Sequence, residues 1–193
     1  NNWFLVSWTL SNKCNYRCEY CPDILHNGST GQPQWSTVKR FVQNFNLKYK
    51  KICYRLSGGE PTYWKHFIDL AELVKEEGHK FTFISNGSQS PEYFKKIAPY
   101  TDGMMLSYHK AYANPEHFIK IINESKIETV INMMLLPSDF EEIFALAEKI
   151  YSSTARASIV PKVIVDKTSS ENITNEVMTY TAVSYTHLTL PTT

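Results

Sequence analysis

The sequence predicts an α/β fold made of repeated parallel βαβ units, and three observations predict it. Short runs rich in β-branched and aromatic residues alternate with helical stripes from Trp3 to Val165, the alternation that crossovers between parallel strands require. Serine, asparagine and aspartate stand where the helices should begin, twice followed by proline. Polar and glycine-rich motifs fall after the strands, where a β/α barrel builds its site.

The elements follow in order. WFLVSWTLS, Trp3 to Ser11, reads as the first strand and runs directly into a cysteine-rich stretch. Between Pro22 and Trp35, Asn-Gly, Gly-Ser and Gly-Gln-Pro mark a turn-rich connection. Ser36 is expected to cap a helix whose apolar stripe is Val38, Phe41, Val42 and Phe45. Ile52 to Ser57 is the second strand and ends in Gly58-Gly59-Glu60-Pro61. Phe67, Leu70, Ala71, Leu73 and Val74 form the next helix face, closed by Gly78. Phe81 to Ser85 is the third strand, followed by Asn86-Gly87, and Ser90-Pro91 opens a short helix to Tyr100. The fourth strand is Gly103 to Tyr108, ending near His109, and Asn114-Pro115 starts a helix through Ile122. Glu128 to Leu136 is the fifth strand, Asp139 is expected to cap the helix carrying Phe140 to Ile150, and Ala157 to Val165 is a sixth strand interrupted by Pro161. This pattern fits a six-unit partial barrel, an eight-unit barrel cut short, or an open doubly wound sheet.

Composition narrows the function classes. The chain has 193 residues, about one domain, with 42% hydrophobic and 20% charged residues and a formal net charge of +1. That balance disfavours a polybasic nucleic-acid surface. No apolar run approaches the roughly 18 residues that cross a bilayer, and the start lacks the layout of a signal peptide. The expectation is a reducing cytoplasm, with neither nucleic acid nor membrane as partner. There is no initiator Met, and the last residues, VSYTHLTLPTT, read like the in-frame translation of a sequencing-library adaptor. Residues 1–182 are therefore expected to be a core incomplete at both ends, and residues 183–193 to lie outside the fold.

The chemistry is concentrated in CNYRCEYCP, where Cys14, Cys18 and Cys21 stand at C-x3-C-x2-C. Structural zinc takes four protein ligands, and ordinary iron–sulfur clusters take four thiolates. Three closely spaced thiolates point to a 4Fe–4S cluster with one iron open to another ligand. The competing reading is a non-catalytic interaction module that binds an iron–sulfur cluster or, with His26 as a fourth ligand, zinc. About forty residues on, after the second strand, comes GGEPT, Gly58 to Thr62. Two glycines let backbone approach a ligand closely, and Glu60 adds a carboxylate that accepts from an ammonium.

The spacing of these two motifs resembles the radical S-adenosylmethionine (SAM) family, over roughly residues 3 to 165. The resemblance implies a partial (β/α)6 TIM-like barrel. It implies a 4Fe–4S cluster on Cys14, Cys18 and Cys21, SAM on the open iron, and reductive cleavage of SAM to a 5′-deoxyadenosyl radical that takes hydrogen from substrate. By the same likeness Gly58, Gly59 and Glu60 meet the methionyl amino group, Tyr20 lies against the adenine, and Ser107 meets the ribose or carboxylate. Asn86, in Ser-Asn-Gly, and Asn132, a polar residue inside the fifth strand, are further SAM-binding candidates. Arg55 and His109 are candidates for substrate, Arg55 equally for a structural salt bridge. Electrons are expected from a reduced flavodoxin or ferredoxin. RLSGGEP and CNYRCEYC resemble the branch around the molybdenum-cofactor GTP cyclase and the auxiliary-cluster peptide-modifying enzymes. Ser7 and Val130 depart from it, standing where that cyclase has an arginine and a lysine. The expected substrate is a small molecule or peptide, with GTP disfavoured.

Overall fold

The computed structural model describes residues 3–164. The strands are β1 (Phe4–Thr9), β2 (Ile52–Ser57), β3 (Lys80–Ser85), β4 (Gly103–Tyr108), β5 (Thr129–Leu135) and β6 (Ala157–Val163). Between them lie α1 (Trp35–Lys48), α2 (Phe67–Glu76), α3 (Pro91–Ile97), α4 (Pro115–Ser125) and α5 (Phe140–Ser153). All pairings are parallel and the strand order is β1-β2-β3-β4-β5-β6.

That order excludes one of the architectures the sequence left open, the doubly wound sheet. A doubly wound sheet reverses its strand order at a switch point, and here the order never reverses. With right-handed crossovers, sequential order puts every helix on one face. Burial agrees. Ile52, Tyr54 and Leu56 of β2, Phe81 and Phe83 of β3, Met104 and Leu106 of β4, and Ile131 and Met133 of β5 share one strand parity. They form a single core with Val38, Val42, Phe67, Leu70, Phe94, Phe118, Ile122 and Ile150 from the helices. Each large side chain buried there contributes about 1.5–3 kcal/mol relative to exposure. The opposite parity, with Ser7, Arg55, Thr82, Met105 and Val130, is half-buried or exposed. The result is one open layer, a partial barrel whose edges among the described residues are β1 and β6. Pro161 falls in β6, the last strand among the described residues, where the missing N–H is tolerated at an edge.

Two helix starts follow the expected chemistry and two do not. Ser90 Oγ accepts the Tyr93 N–H at 3.3 Å, and Asn114 Oδ1 accepts the His117 N–H at 3.0 Å, each with proline at the first turn. Ser36 is not a cap. The helix α1 begins at Trp35, its N-cap is Gln34, and no side chain caps it. The Trp35 ring instead stacks on His66 at 5.4 Å and meets Trp64 at 6.1 Å, so tertiary packing sets that start. Asp139 occupies the cap position of α5 without a cap bond, because its Oδ1 accepts from Lys110 Nζ at 3.0 Å. Among the described residues no helix is long and apolar enough to cross a membrane. The expectation for residues 183–193 lies outside the described residues.

Candidate functional site

The site grows out of the ends of β1 and β2. Their pairing continues past the strands: Leu10 N–H donates to Ser57 O at 3.0 Å, Gly59 N–H to Ser11 O at 2.9 Å, and Glu60 N–H to Lys13 O at 2.8 Å. A Cβ on Gly58 would lie 2.3 Å from Ser11 O, and one on Gly59 would lie 2.4 Å from Lys13 O and 2.9 Å from Cys14 N. The missing side chains thus admit the backbone of the cysteine loop itself. This is a use of the two glycines that the sequence reading did not give. The GGE strand end and the first cysteine are one packed unit.

The loop is braced from within. Asn12, 5% exposed, reaches Ile24 O at 2.7 Å and Asn27 Oδ1 at 2.8 Å through Nδ2, and its Oδ1 accepts the Thr30 N–H at 3.0 Å. Arg17 donates to Cys14 O at 2.8 Å and to His26 O at 3.0 Å. Tyr112, beyond β4, stacks on Tyr16 at 4.4 Å and donates its hydroxyl to Arg17 O at 2.9 Å.

At the C-terminal ends of the strands this loop borders a cavity of about 460 Å³. Cys14, Cys18, Cys21, Tyr20, Gly58, Gly59, Asn86, Ser107 and His109 all line it. Glu60 does not. It is 2% exposed, and its Oε1 accepts from Thr62 N at 3.1 Å, Thr62 Oγ1 at 2.6 Å and Ser85 Oγ at 2.9 Å, its Oε2 from Asn86 N at 2.6 Å. Burial pushes its carboxyl above the usual range while these donors pull it back. Asn86 carries the brace onward, its Nδ2 lying 2.9 Å from Asn15 Oδ1 and 3.8 Å from Cys14 Sγ. Asn132 is 7% exposed and pairs in register with Ser107. Its Oδ1 has no hydrogen-bond partner, an orphaned acceptor beside a cavity-lining hydroxyl.

Two candidates for substrate contact are placed differently from expectation. Arg55 lines a separate hollow of about 330 Å³, with Thr82, Gly103, Glu128 and Val130. Among the described residues it makes no ion pair. His109 is in the cavity but lies against the cysteine loop, with Nδ1 2.5 Å from the Tyr20 hydroxyl and 3.6 Å from Cys18 Sγ. Burial holds its pKa down at about 4, so the imidazole is neutral at neutral pH.

The donor set fits a cluster better than a single ion. None of the three loop cysteines is in a disulfide, and all three are half-buried. Burial pushes the Cys14 and Cys18 thiols up, and the neighbouring cysteines add to it; a bound cation centre reverses that. Zinc binds each thiolate at about 2.3 Å, so its ligands must converge on one point. Among the described residues no three His, Cys, Asp or Glu side chains do so. His26 borders the cavity, with its Nε2 3.5 Å from Asp23 Oδ1. A 4Fe–4S cluster gives each thiolate its own iron, so its sulfurs gather around a larger body and stand further apart.

The Radical SAM superfamily profile matches residues 8–150. The chain belongs to the radical SAM superfamily. It is 31% identical over 131 residues to the GTP 3′,8-cyclase of Haemophilus ducreyi (strain 35000HP), covering 64% of this chain and 37% of that protein. An S-adenosylmethionine-dependent nucleotide dehydratase of a Thermoplasmatales archaeon (strain ISO4-H5) is 38% identical over 77 residues, covering 39% of this chain and 26% of that protein. The fold matches Streptococcus suis SuiB, crystallised with the precursor peptide SuiA, at a TM-score of 0.66 and 16% identity. That match covers 96% of this chain and 46% of SuiB. The chain thus spans roughly a quarter to a half of the relatives it matches.

The three cysteines and the strand-end residues that line the cavity were legible in the sequence. The braces were not: Asn12, Asn15, Arg17 and Tyr112 carry no motif, and only their nearness to the three cysteines marked Asn12, Asn15 and Arg17.

Proposed function

We propose that this protein is a radical SAM enzyme, with a 4Fe–4S cluster on Cys14, Cys18 and Cys21 and SAM bound across the strand ends. The observation that carries the reading is the packed unit of loop and strand end: three cysteines outside any disulfide border one cavity whose rim is the Gly58-Gly59 backbone. When bound, the cluster supplies the electron that splits SAM into methionine and a 5′-deoxyadenosyl radical, which abstracts hydrogen from substrate.

The protein's own residues bind and orient. Asn12 and Arg17 hold the loop so that its cysteines face the cavity. Gly58, Gly59, Asn86 and Ser107 present backbone and small polar groups to SAM there, and the orphaned Asn132 Oδ1 suits a donor from it. Tyr20 offers an aromatic face to the adenine. Glu60 acts from behind, fixing Ser85 and Asn86 at the cavity wall. Oriented groups in a half-closed site hold the reacting carbon near its target and limit water. The substrate is a small molecule or peptide, in keeping with nucleotide-named relatives and a peptide-bound structural neighbour. The electron donor is a reduced flavodoxin or ferredoxin, and cysteines outside any disulfide suit a reducing cytoplasm.

Anaerobically reconstituted, dithionite-reduced protein should convert SAM to 5′-deoxyadenosine and methionine. Cys14→Ala, Cys18→Ala and Cys21→Ala should each abolish the conversion, while Cys53→Ala, whose side chain lies outside the cavity, should retain it. Turnover surviving the loss of any loop cysteine would overturn the assignment.

A further inference from the structure

At the edge of the cavity Cys18, Tyr20 and His109 meet in a triangle that binding SAM does not explain. We propose that His109 is a positioning residue: it holds the Tyr20 hydroxyl against the Cys18 sulfur and thereby sets the reduction potential of the cluster. This rests on the cluster reading above and adds to it a residue that controls the electron's entry.

The geometry is specific. The Tyr20 hydroxyl lies 2.5 Å from His109 Nδ1 and Cys18 Sγ lies 3.6 Å from the same nitrogen, so hydroxyl and sulfur flank one ring atom. Tyr20 and His109 have nearly parallel rings, 14° apart with centroids at 6.0 Å. Tyr16 meets the imidazole edge-on, at 86° and 5.9 Å. Two aromatic neighbours therefore fix the plane of the imidazole.

Donor counting then orders the triangle. One Nδ1–H cannot serve both the phenol and the sulfur well, whereas a phenol both donates and accepts. A metal-bound thiolate is an acceptor carrying negative charge, so the phenol O–H turns to Cys18 and its oxygen accepts from Nδ1–H. A cluster that takes up one electron becomes more negative, and hydrogen bonds to its sulfurs favour that state and raise the potential. Because His109 follows β4 and Cys18 belongs to the β1 loop, the relay also links the two walls of the cavity.

The test is a dithionite titration of the reconstituted protein followed by electron paramagnetic resonance, with iron and sulfide counted in each sample. His109→Phe should lower the reduced-to-oxidised ratio at fixed potential about tenfold, a shift of about 59 mV to the negative for a one-electron couple. Tyr20→Phe should shift it similarly, and the double variant no further, since both act through one hydroxyl. His109→Asn keeps an N–H close to the Nδ1 position and should restore the wild-type potential. An unchanged potential in Tyr20→Phe, whose ring and packing are retained, overturns the proposal even if the His109 variants load poorly. So does additivity in the double variant. If wild-type protein loads no cluster, the parent reading falls and this one with it; a loaded wild type with unmoved variants overturns this inference alone.

Discussion

Glu60 is held by donors on several sides, and that limits what can replace it. Thr62 N–H and Asn86 N–H are obligatory donors at 3.1 and 2.6 Å, so only an acceptor suits their positions. Glu60→Gln puts an amide N–H where one of them points. Losing a hydrogen bond to a charged group costs about 1.5–3 kcal/mol, and each kcal/mol lowers the melting temperature by about 2–4 °C at this size. A fall of about 3–12 °C in differential scanning calorimetry is expected, and an unchanged melting temperature would show that Glu60 does not brace the site. Substrate choice also lies at this scale. Ser7 faces Arg55 in register, and Val130 lines the same hollow as Arg55. The branch resemblance places basic residues at both positions. Two missing charge-assisted contacts at about 1.5–3 kcal/mol each imply that GTP binds at least about 100-fold more weakly than with both in place. Calorimetry should find no micromolar GTP binding, and finding it would restore GTP as a substrate.

At the scale of elements, the cysteine loop and the β2 end behave as one piece. Gly59→Ala would press a Cβ against Lys13 O and Cys14 N, moving the backbone that carries the first cysteine. Iron retained after reconstitution should fall several-fold. The same change at Gly103 meets only Glu128 O at 3.6 Å and should leave iron content unchanged. Equal loading in the two variants would separate the GGE strand end from the loop. This pairing also shows where the sequence was legible. β2 and β4 follow their alternation to the residue, and Ser90 and Asn114 cap as their local chemistry demands. These signals act within a few residues. The partners of Gly58 and Gly59 are Ser11 and Lys13, and the partner of the Tyr20 hydroxyl is His109. Such contacts exist only once strands distant in sequence pair, so the motif was visible while its packing was not. Trp35 in place of Ser36 at the start of α1 has the same cause, a tertiary stack overriding local preference.

Across the whole molecule, sequential strand order and helices on one face leave the inner side of the sheet half-open. Every cavity-lining candidate comes from a strand end or the loop beside it, the arrangement barrel enzymes use to gather residues from several strands. Three loop cysteines that hold a four-iron cluster would leave one iron for SAM, and Mössbauer spectroscopy of protein reconstituted with ⁵⁷Fe reads each iron. About four iron and four sulfide per chain are expected, with SAM altering the signal of one iron in four and leaving the others as they were. Four irons indifferent to SAM, or a single zinc in their place, would contradict it.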